Sequence, residues 1–367
     1  MKILYVTTVS MTMGFFPEHI KMLLNEGHTI EIATNCDQPV PEIYNTLGCK
    51  VYDIPFSRSP FSKNNLKAYK MLKQLVETEH YDIVHTHTPN ASMIARLACR
   101  KVRKQGTRIF YTAHGFHFFK GAPLKNWLMY YPIEKICARF TDVLITINKE
   151  DYALAQKKMH AKKVCYVPGV GIDLEKIRAV HVDRNEVRKS IGVPEESVLL
   201  LSVGELNVNK NHQIVLKALA KLNNKNVHYV IAGLGDQNEN LLNLAKNLGV
   251  EKQFHLLGYR TDVPAIAKSS DVFCFPSHRE GLGLSALEAM SCALPLITSN
   301  VHGINDYSQN DVTGYKCSPD DIVSWVDKIK ILVEDSSKRK QFGNNNVQIV
   351  AKYSMQNILQ RMKEIYA

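Results

Sequence analysis

The chain has 367 residues, 45 % of them hydrophobic, which is more than one core usually accommodates, so two domains are expected. Its net charge is +11, and the excess lies in the first half, where an anionic partner is expected. Eight scattered cysteines without a Cys-x-x-Cys pair disfavour a zinc knuckle and a disulfide framework and favour a reducing cytoplasm. No apolar run approaches the roughly 18 residues that span a bilayer. The first apolar run is also too short for a signal peptide, so we expect a cytoplasmic protein that is not integral to the membrane.

In the first half, short apolar runs rich in β-branched residues alternate with amphipathic segments of helical length, a pattern typical of a parallel α/β sheet. A polar stretch at 174–197 interrupts this pattern, so a first domain over 1–178 is predicted. Strands are predicted at 2–9, 29–34, 50–54, 82–87, 108–112, 143–148 and 163–167, with helices between them, for example at 64–80 and 91–104.

The second half repeats the pattern, which predicts a second doubly wound domain over 179–350 and a C-terminal helix over 351–367 that packs back on the first domain. Ligands of such sheets bind beyond the carboxyl ends of the strands, so a cleft between the domains is the expected active site. Strands are predicted at 198–203, 227–232, 253–257, 271–275 and 294–298, and helices at 212–222, 237–248, 284–291, 320–334, 337–352 and 354–366.

Two carboxylates, Glu280 and Glu288, flank a glycine-containing turn at the start of the helix 284–291. Backbone N–H groups at a helix amino terminus suit diphosphate oxygens, and an ionised carboxylate suits the two hydroxyls of a ribose. An acidic residue at a helix start plus a surface Glu would explain the same pattern without a ligand. The residues that would offer backbone amides are Gly281, Leu282, Gly283 and Leu284.

Residues 276–290 resemble glycosyltransferase family 4, because they match its signature Pro-Ser-x-x-Glu-Gly-x-Gly-Leu-x-x-Leu-Glu-Ala-Met. The resemblance covers nearly the whole chain. Residues 167–173 are similar to the family's interdomain segment, 204–210 to its diphosphate loop, and 258–263 to its base-contacting turn. Residues 279–316 also resemble bacterial capsule and exopolysaccharide enzymes of that family.

The resemblance implies the α/β GT-B fold, with two Rossmann-like domains, and a retaining transferase that needs no metal or other cofactor. It implies that Glu280 holds the donor sugar's hydroxyls, that Glu288 binds the ribose, and that Lys210 neutralises the diphosphate. His114 matches the family's active-site histidine and completes a catalytic set with Glu280 and Lys210. The implied donor-binding residues are Gly14, Gly204, Lys210, Arg260, Glu280, Gly281, Leu282, Gly283, Leu284 and Glu288.

The chain departs from the family at three places. Glu205 stands where the diphosphate loop usually has Arg, so either Lys210 and the helix amides suffice or another cation, Arg260 or Arg279, helps. Ala293 stands where Gly is frequent, which we interpret as a packing change. The segment 302–306 replaces the common Gly-Gly-x-Pro-Glu, which leaves the shape of the phosphate pocket open.

Histidines stand at the carboxyl ends of two predicted strands, so their imidazoles should converge on the carboxyl edge of the first sheet; they are His85, His87, His114 and His117. A zinc site is disfavoured, because no Asp or Cys ligand accompanies them at metal spacing. A hydrogen-bonded structural role is the simpler interpretation for each histidine except His114. Gly14 falls where the first strand gives way to the first helix, and its lack of a side chain would let the backbone approach the donor phosphates.

Basic and aromatic residues crowd the region 96–131, a combination that suits an anionic bilayer surface. A solvated basic face over an aromatic core is the alternative, and no nucleic-acid-binding motif accompanies the charge. With the family resemblance, the expected acceptor is a saccharide on a polyprenyl diphosphate lipid, reached from the cytoplasmic leaflet. The residues concerned are Arg96, Arg100, Lys101, Arg103, Lys104, Arg108, Phe116, Phe118, Phe119, Lys120, Lys125, Trp127, Tyr130 and Tyr131.

The expected reaction transfers a hexose or N-acetylhexosamine from a nucleotide diphosphate sugar, preferably a UDP-sugar. Two other functions remain open. A nucleotide-sugar epimerase of related architecture would alter the donor without an acceptor, and a silent nucleotide-sugar sensor, suggested by Glu205, would bind it without turnover. A NAD oxidoreductase is disfavoured, because Gly233-Leu234-Gly235 does not complete Gly-x-Gly-x-x-Gly.

Overall fold

The computed structural model describes residues 1–367, which divide into two units. One unit comprises residues 1–171 and 355–367, and the other comprises residues 172–354. Each contains one parallel sheet whose central strands are buried apolar runs, as expected for a sheet with helices on both faces.

The strands of the first unit are β1 (Lys2–Val9), β2 (Thr29–Asn35), β3 (Lys50–Asp53), β4 (Ile83–Thr86), β5 (Arg108–Ala113), β6 (Val143–Thr146) and β7 (Lys163–Tyr166). Its helices are α1 (Pro17–Asn25), α2 (Ile43–Thr46), α3 (Asn64–Glu79), α4 (Pro89–Ala98), α5 (Arg100–Arg103), α6 (Leu124–Ala138) and α7 (Lys149–Lys158), with a 3-10 helix at Ser10–Phe15. The sheet has the order β3-β2-β1-β4-β5-β6-β7. The order reverses between β1 and β4, where doubly wound sheets bind their ligands.

The strands of the second unit are β8 (Val198–Val203), β9 (Val227–Ala232), β10 (Phe254–Leu256), β11 (Val272–Phe275), β12 (Leu296–Ser299) and β13 (Gly314–Cys317). Its helices are α8 (Leu174–Arg178), α9 (Arg184–Ser190), α10 (Gln213–Leu222), α11 (Asn238–Asn247), α12 (Val263–Lys268), α13 (Leu284–Ser291), α14 (Ile322–Glu334) and α15 (Ser336–Val350). Its 3-10 helices are Val208–Lys210, Glu251–Gln253, His302–Asp306 and Ala351–Tyr353. The sheet order is β10-β9-β8-β11-β12-β13, with its reversal between β8 and β11.

The helix α3 shows how the sequence pattern produces the packing. Its buried residues Ala68, Leu72 and Val76 recur every fourth position and therefore share one face. That face packs against α4 and belongs to an apolar core of the first unit that also includes Leu4 and Val6 of β1.

The unit boundaries differ from the predicted ones, which placed them after 178 and after 350. The helix α8 packs against α13, and the amide of Ile172 donates to the carbonyl of Tyr353 at 3.0 Å. The Tyr353 hydroxyl in turn donates to the carbonyl of Asp306 at 3.4 Å. Residues 172–178 and 351–354 therefore belong to the second unit. The last helix, α16 (Met355–Tyr366), lies in the first unit.

The edge strand β13 was not predicted, because four residues that include Gly and Lys lack a strand-like apolar pattern. Gly314 has a φ of +141°, and a Cβ there would lie 1.8 Å from the carbonyl oxygen of Leu296 on β12. The strand therefore depends on a glycine that lets it approach its neighbour, a requirement that sequence periodicity does not report.

Candidate active site

Most predicted donor-site residues of the second unit follow β8 and β11, the two strands between which the sheet order reverses, whereas Arg260 follows β10. Gly204 and Lys210 lie in the segment after β8, and Glu280 lies in the segment after β11. Ligands of doubly wound sheets bind in the crevice at such a point. The structure thus brings together the two segments that the sequence singled out.

Lys210 and Glu280 form an ion pair, with Lys210 Nζ 2.6 Å from Glu280 Oε1. Both side chains are mostly buried, and the ammonium also lies 4.9 Å from the ring centroid of Phe275. An ammonium in such surroundings attracts an anion more strongly than one in water, because the effective dielectric constant is lower. The pair is neutral as a whole, so Lys210 must exchange Glu280 for the phosphate oxygens when a diphosphate binds, and the carboxylate is then available to accept from sugar hydroxyls.

Two asparagines hold the segment after β8 in place. Asn207 Oδ1 accepts from the backbone amide of Lys210 at 3.0 Å and caps the 3-10 helix that ends there. Asn209 Nδ2 donates to the carbonyl of Arg279 at 3.0 Å, and the Asn209 carbonyl accepts from the amide of His278 at 2.8 Å. These bonds tie the Lys210 segment to the Glu280 segment. Sequence reasoning missed both residues, although Asn at the start of a turn is a recognised signal.

Two predicted glycines are required by the backbone geometry around the ion pair. Gly283 has a φ of +86°, and a Cβ there would lie 2.5 Å from the ring of Phe275. Gly204 has a φ of +151°, and a Cβ there would lie 3.2 Å from Lys210 Cε. A side chain at either position would displace the aromatic ring or the lysine. The glycines therefore leave room for Lys210 and for the start of α13.

The start of α13 leaves backbone donors available. The helix begins at Leu284 with Gly283 as its N-cap, and no side chain caps this end. The amides of the first turn can therefore serve an anion, whereas the Leu282 side chain is buried and offers only its backbone. Glu288, one turn further, forms no ion pair or hydrogen bond through its carboxylate, and burial raises its pKa. An unpaired, partly buried carboxylate suits the predicted contact with ribose hydroxyls.

Two other residues considered for this position, Arg260 and Glu205, are already engaged. The guanidinium of Arg260 donates to both carboxylate oxygens of Asp262, at 2.8 and 2.6 Å, so its charge is largely neutralised. Glu205 is exposed and accepts from Asn207 Nδ2 at 2.8 Å. Arg260 would have to leave Asp262 before it could help Lys210.

The remaining two departures from the family pattern share one backbone explanation. Ala293 has a φ of +59° and His302 a φ of +40°, and both stand where the family commonly has Gly. The left-handed region costs a residue with a Cβ roughly 1–2 kcal/mol. Our interpretation of Ala293 as a packing change was therefore wrong, because the conformation explains the usual glycine.

In the first unit, the predicted histidines meet at the carboxyl edge of the sheet. His114 follows β5, and its Nε2 lies 3.4 Å from Nδ1 of His87, which follows β4. The His87 ring packs between Tyr5 and Phe16, with centroid separations of 5.0 and 4.2 Å. Burial lowers the pKa of His114 to about 4 and the pKa of His87 well below its usual value. Both imidazoles are therefore neutral near pH 7, and each can donate one hydrogen bond and accept another.

His85 has a structural role. Its Nε2 lies 2.8 Å from Thr112 Oγ1, and its Nδ1 is hydrogen-bonded to the Tyr366 hydroxyl of α16. Both ring nitrogens of His85 are therefore engaged within the protein. No group of three or more His, Cys, Asp or Glu side chains is arranged to hold a metal ion.

Gly14 lies in the 3-10 helix that follows β1. No atom lies within 4 Å of the position that a Cβ would take there, so packing within the unit does not demand a glycine. The space beside this turn is open. That is compatible with the predicted close approach of a ligand to the backbone.

The prediction of a basic and aromatic surface was wrong for four residues, which are buried. Arg96 is fully buried, where its guanidinium donates to both carboxylate oxygens of Glu134 at 2.9 and 3.0 Å. The rings of Phe116, Phe118 and Phe119 are buried as well, so they belong to the core. Large aliphatic side chains of α6 are exposed instead, namely Leu124, Leu128, Met129, Ile133 and Ile136. No helix of the chain has the length and apolar character that crossing a bilayer requires.

Comparison with known proteins identifies the family. A family model described as "Glycosyl transferase 4-like" matches residues 2–148, and one described as "Glycosyl transferases group 1" matches residues 183–348. EpsD of Bacillus subtilis (strain 168), named as a glycosyltransferase, is 33 % identical over 371 residues, which cover 100 % of this chain and 96 % of EpsD.

Two further matches agree. The Escherichia coli UDP-Gal:alpha-D-GlcNAc-diphosphoundecaprenol alpha-1,3-galactosyltransferase is 30 % identical over 358 residues, covering 95 % of this chain and 91 % of that enzyme. The crystal structure of HepE (Alr3699) from Anabaena in complex with UDP matches this chain with a TM-score of 0.82 at 18 % sequence identity. The match covers 100 % of this chain and 99 % of the HepE chain, so the two share the fold. The chain therefore belongs to the family 4 glycosyltransferases of the GT-B fold, and it resembles bacterial enzymes of that family that include one named for capsular polysaccharide biosynthesis.

Proposed function

We propose that this glycosyltransferase moves a hexosyl or N-acetylhexosaminyl group from a UDP-sugar to a polyprenyl-diphosphate-linked saccharide, with retention of anomeric configuration, in capsular or exopolysaccharide synthesis. The observation that carries the proposal is the Lys210–Glu280 pair at the reversal point of the second sheet, next to the uncapped start of α13. The name of the Escherichia coli relative supports this donor and acceptor class, since it includes UDP-galactose and a diphosphoundecaprenol-linked sugar.

In the proposed mechanism, the bond between the sugar C1 and the diphosphate oxygen breaks while a bond from C1 to the acceptor oxygen forms on the same face. The departing diphosphate oxygen takes the proton of the acceptor hydroxyl. Lys210 and the first amides of α13 stabilise the negative charge that grows on the diphosphate. Glu280 orients the sugar by accepting from its hydroxyls, and His114 contacts the transferred sugar as a neutral imidazole.

The reaction is tested by incubating the enzyme with a panel of UDP-sugars and an undecaprenyl-diphosphate-linked N-acetylhexosamine, and by analysing both lipid and nucleotide products. We expect one UDP-sugar to yield UDP and a lipid-linked disaccharide with the donor's anomeric configuration. An epimerised donor without lipid product, or binding without turnover, would instead establish one of the two alternative functions.

We propose that catalysis needs no metal ion, because Lys210 and the backbone amides of α13 supply the positive charge that the diphosphate requires. The sequence also contains no Asp-x-Asp motif of the kind that binds a metal with a nucleotide sugar. Activity in 5 to 10 mM EDTA is therefore expected to stay within about twofold of the untreated rate. Strong inhibition that Mn²⁺ reverses would show that this proposal is wrong.

We also propose that the first unit binds an anionic membrane surface, through α6 and a neighbouring basic groove. Leu128 is 69 % exposed and Ile136 is 56 % exposed, which is unusual for two large apolar residues of one helix. The only carboxylate of α6, Glu134, is turned inward to Arg96, so the outer face carries no acidic group. An open groove of about 410 Å³ adjoins the end of α6, and its basic lining residues are Lys73, Arg100, Lys104 and Arg139, together with Lys101 and Arg103, which are paired with Glu77 and Asp142.

Charge reversal on the outer face of α6 tests this surface. Leu128→Asp with Ile136→Asp is expected to weaken binding to phosphatidylglycerol vesicles about tenfold or more, since two apolar anchors are lost and two anions are added. The matched control is Leu242→Asp, which changes an exposed leucine of α11 in the second unit. Equal vesicle binding by the wild type, the double variant and the control in a flotation assay would contradict the proposal.

A further inference from the structure

Two adjoining cavities of different chemistry lie in the first unit. The larger, of about 270 Å³, is mostly apolar in lining surface but holds an arginine, an asparagine and threonine hydroxyls, and we call it the polar cavity. The smaller, of about 80 Å³, is almost wholly apolar, and we call it the apolar cavity. They share five lining residues, so they form one continuous site: Pro60, Pro89, Asn90, His117 and Tyr130. Two joined compartments of this kind suit a ligand with a polar and an apolar part.

The polar cavity lies at the reversal point of the first sheet. Thr8 near the end of β1 and Thr88 just after β4 line it, and their hydroxyl oxygens are 2.6 Å apart. Arg58 is the one Lys or Arg in the lining, and no Asp or Glu is present. The Arg58 guanidinium forms no ion pair or hydrogen bond within the protein. Asn90 fixes the Arg58 segment, because its Nδ2 donates to the carbonyls of Ser57 and Arg58 at 3.0 and 2.5 Å. An unpaired guanidinium on an anchored segment suits a phosphate-bearing ligand.

The apolar cavity continues toward the exposed face of α6. Met129 and Ile133 line it and are 43 % and 40 % exposed, and Phe61, 84 % exposed, lies at the same opening. Glu134, its only acidic residue, is neutralised by Arg96. A cavity needs at least roughly 10–15 Å³ on this scale to admit one water-sized group. A cavity of about 80 Å³ is several times larger and has room for a small branched hydrocarbon group such as one isoprene unit.

We infer that this double cavity is the acceptor-lipid site, in which Arg58 binds the diphosphate and the apolar cavity takes the first isoprene unit. The inference rests on the proposed function, because it assigns a place to the acceptor named there. A free saccharide would leave the apolar cavity and the arginine unused, and a nucleotide would leave the apolar cavity unused. An isoprenyl diphosphate ester matches both. His117 lines both cavities and follows His114 by three residues, so the saccharide attached to the diphosphate lies near the predicted active-site histidine.

The experiment has a binding arm and a kinetic arm. In the first, the full-length protein is titrated with farnesyl diphosphate, inorganic diphosphate and farnesol. We expect the first probe to bind most tightly, since it fills both cavities, and Arg58→Ala to weaken it about 10- to 100-fold while leaving farnesol unchanged. Lys63→Ala, which removes an exposed cation close to Arg58 in sequence, is the matched control and should bind like the wild type.

In the kinetic arm, Arg58→Ala should raise KM for a diphosphate-linked acceptor by a similar factor, with the KM of the UDP-sugar unchanged. The same saccharide on a neutral alkyl chain should be used equally by both proteins. Met129→Ser should remove the advantage of a farnesyl over a butyl diphosphate acceptor. Met129 is partly exposed, so this variant is expected to fold.

Three results are decisive. If Arg58→Ala binds farnesyl diphosphate like the wild type, the site assignment is wrong whatever the enzyme's activity. If it weakens the neutral acceptor and the UDP-sugar equally, the residue acts on the fold and the assignment is again wrong. If Arg58-dependent binding is found but the wild type transfers to no lipid-linked acceptor, the site stands and the proposed reaction falls.

Discussion

Replacing Lys210 by Ala is expected to lower kcat about 10³-fold while leaving the protein folded. Removing a single preorganised donor from a developing anion typically costs catalysis about 10²–10³-fold, and Lys210 carries a full charge in mostly buried surroundings. Glu205 is an anion and the Arg260 guanidinium is bound to Asp262, so neither replaces the lost charge.

The stability cost of Lys210→Ala should be small. The ion pair retains some solvent contact, so its loss is expected to cost about 1–2 kcal/mol of the free energy of unfolding. Lys210→Arg keeps the charge and should recover part of the rate. Lys221→Ala, at an exposed lysine of α10, serves as control and should match the wild type in transfer assays and thermal denaturation. A Lys210→Ala enzyme with near-normal turnover would exclude this lysine from the donor site.

Replacing Glu280 by Gln is expected to lower kcat/KM for the UDP-sugar at least 100-fold, since a charged hydrogen-bond acceptor for sugar hydroxyls becomes a weaker, neutral one. UDP itself should bind the variant at least as tightly as the wild type. Glu280 holds the ammonium of Lys210 at 2.6 Å, and without this carboxylate the lysine is free to turn to the diphosphate.

The opposite responses to UDP-sugar and to UDP make this test specific. Calorimetric titration with UDP and transfer kinetics with UDP-sugar should be measured on the same preparations. Loss of UDP binding in Glu280→Gln would mean that the carboxylate supports the nucleotide or the fold, and the assigned contact with sugar hydroxyls would then be wrong.

The sheet architecture was predictable because buried parallel strands are continuous apolar runs. The strand predicted at 198–203 and the helix predicted at 64–80 agree with β8 and α3 to within one residue. The same reasoning missed β13, whose pairing depends on Gly314 rather than on apolar residues.

For the candidate site, the sequence predicted which segments carry the chemistry but not how they are held. Lys210 and Glu280 come from segments 70 residues apart, and their contact follows from the sheet order. Asn209 joins the two segments and the Phe275 ring lies beside the Lys210 ammonium. Both contacts exist only once the segments meet, so no local sequence pattern predicts them. The functional roles of the site residues stay predictions until the variants are measured.

Charge and exposure were the least predictable features. Arg96 belongs to a basic cluster in the sequence, yet its side chain is buried in the core, where it is paired with the carboxylate of Glu134. Aromatic rings that suggested a membrane surface are buried, while the aliphatic residues of α6 are exposed. Neither outcome follows from composition, because both depend on which face of a helix meets the sheet.

The position of α16 has a consequence for synthesis on the ribosome. The Tyr366 hydroxyl lies 2.7 Å from that of Tyr5 on β1 and also bonds His85, so residues from both ends of the sequence complete one interior. All of residues 172–354 are translated before α16 exists. The first unit therefore lacks the Tyr366 side chain in its interior while the second unit is being translated. Although the second unit is synthesised later, it can complete its native contacts before the first unit does.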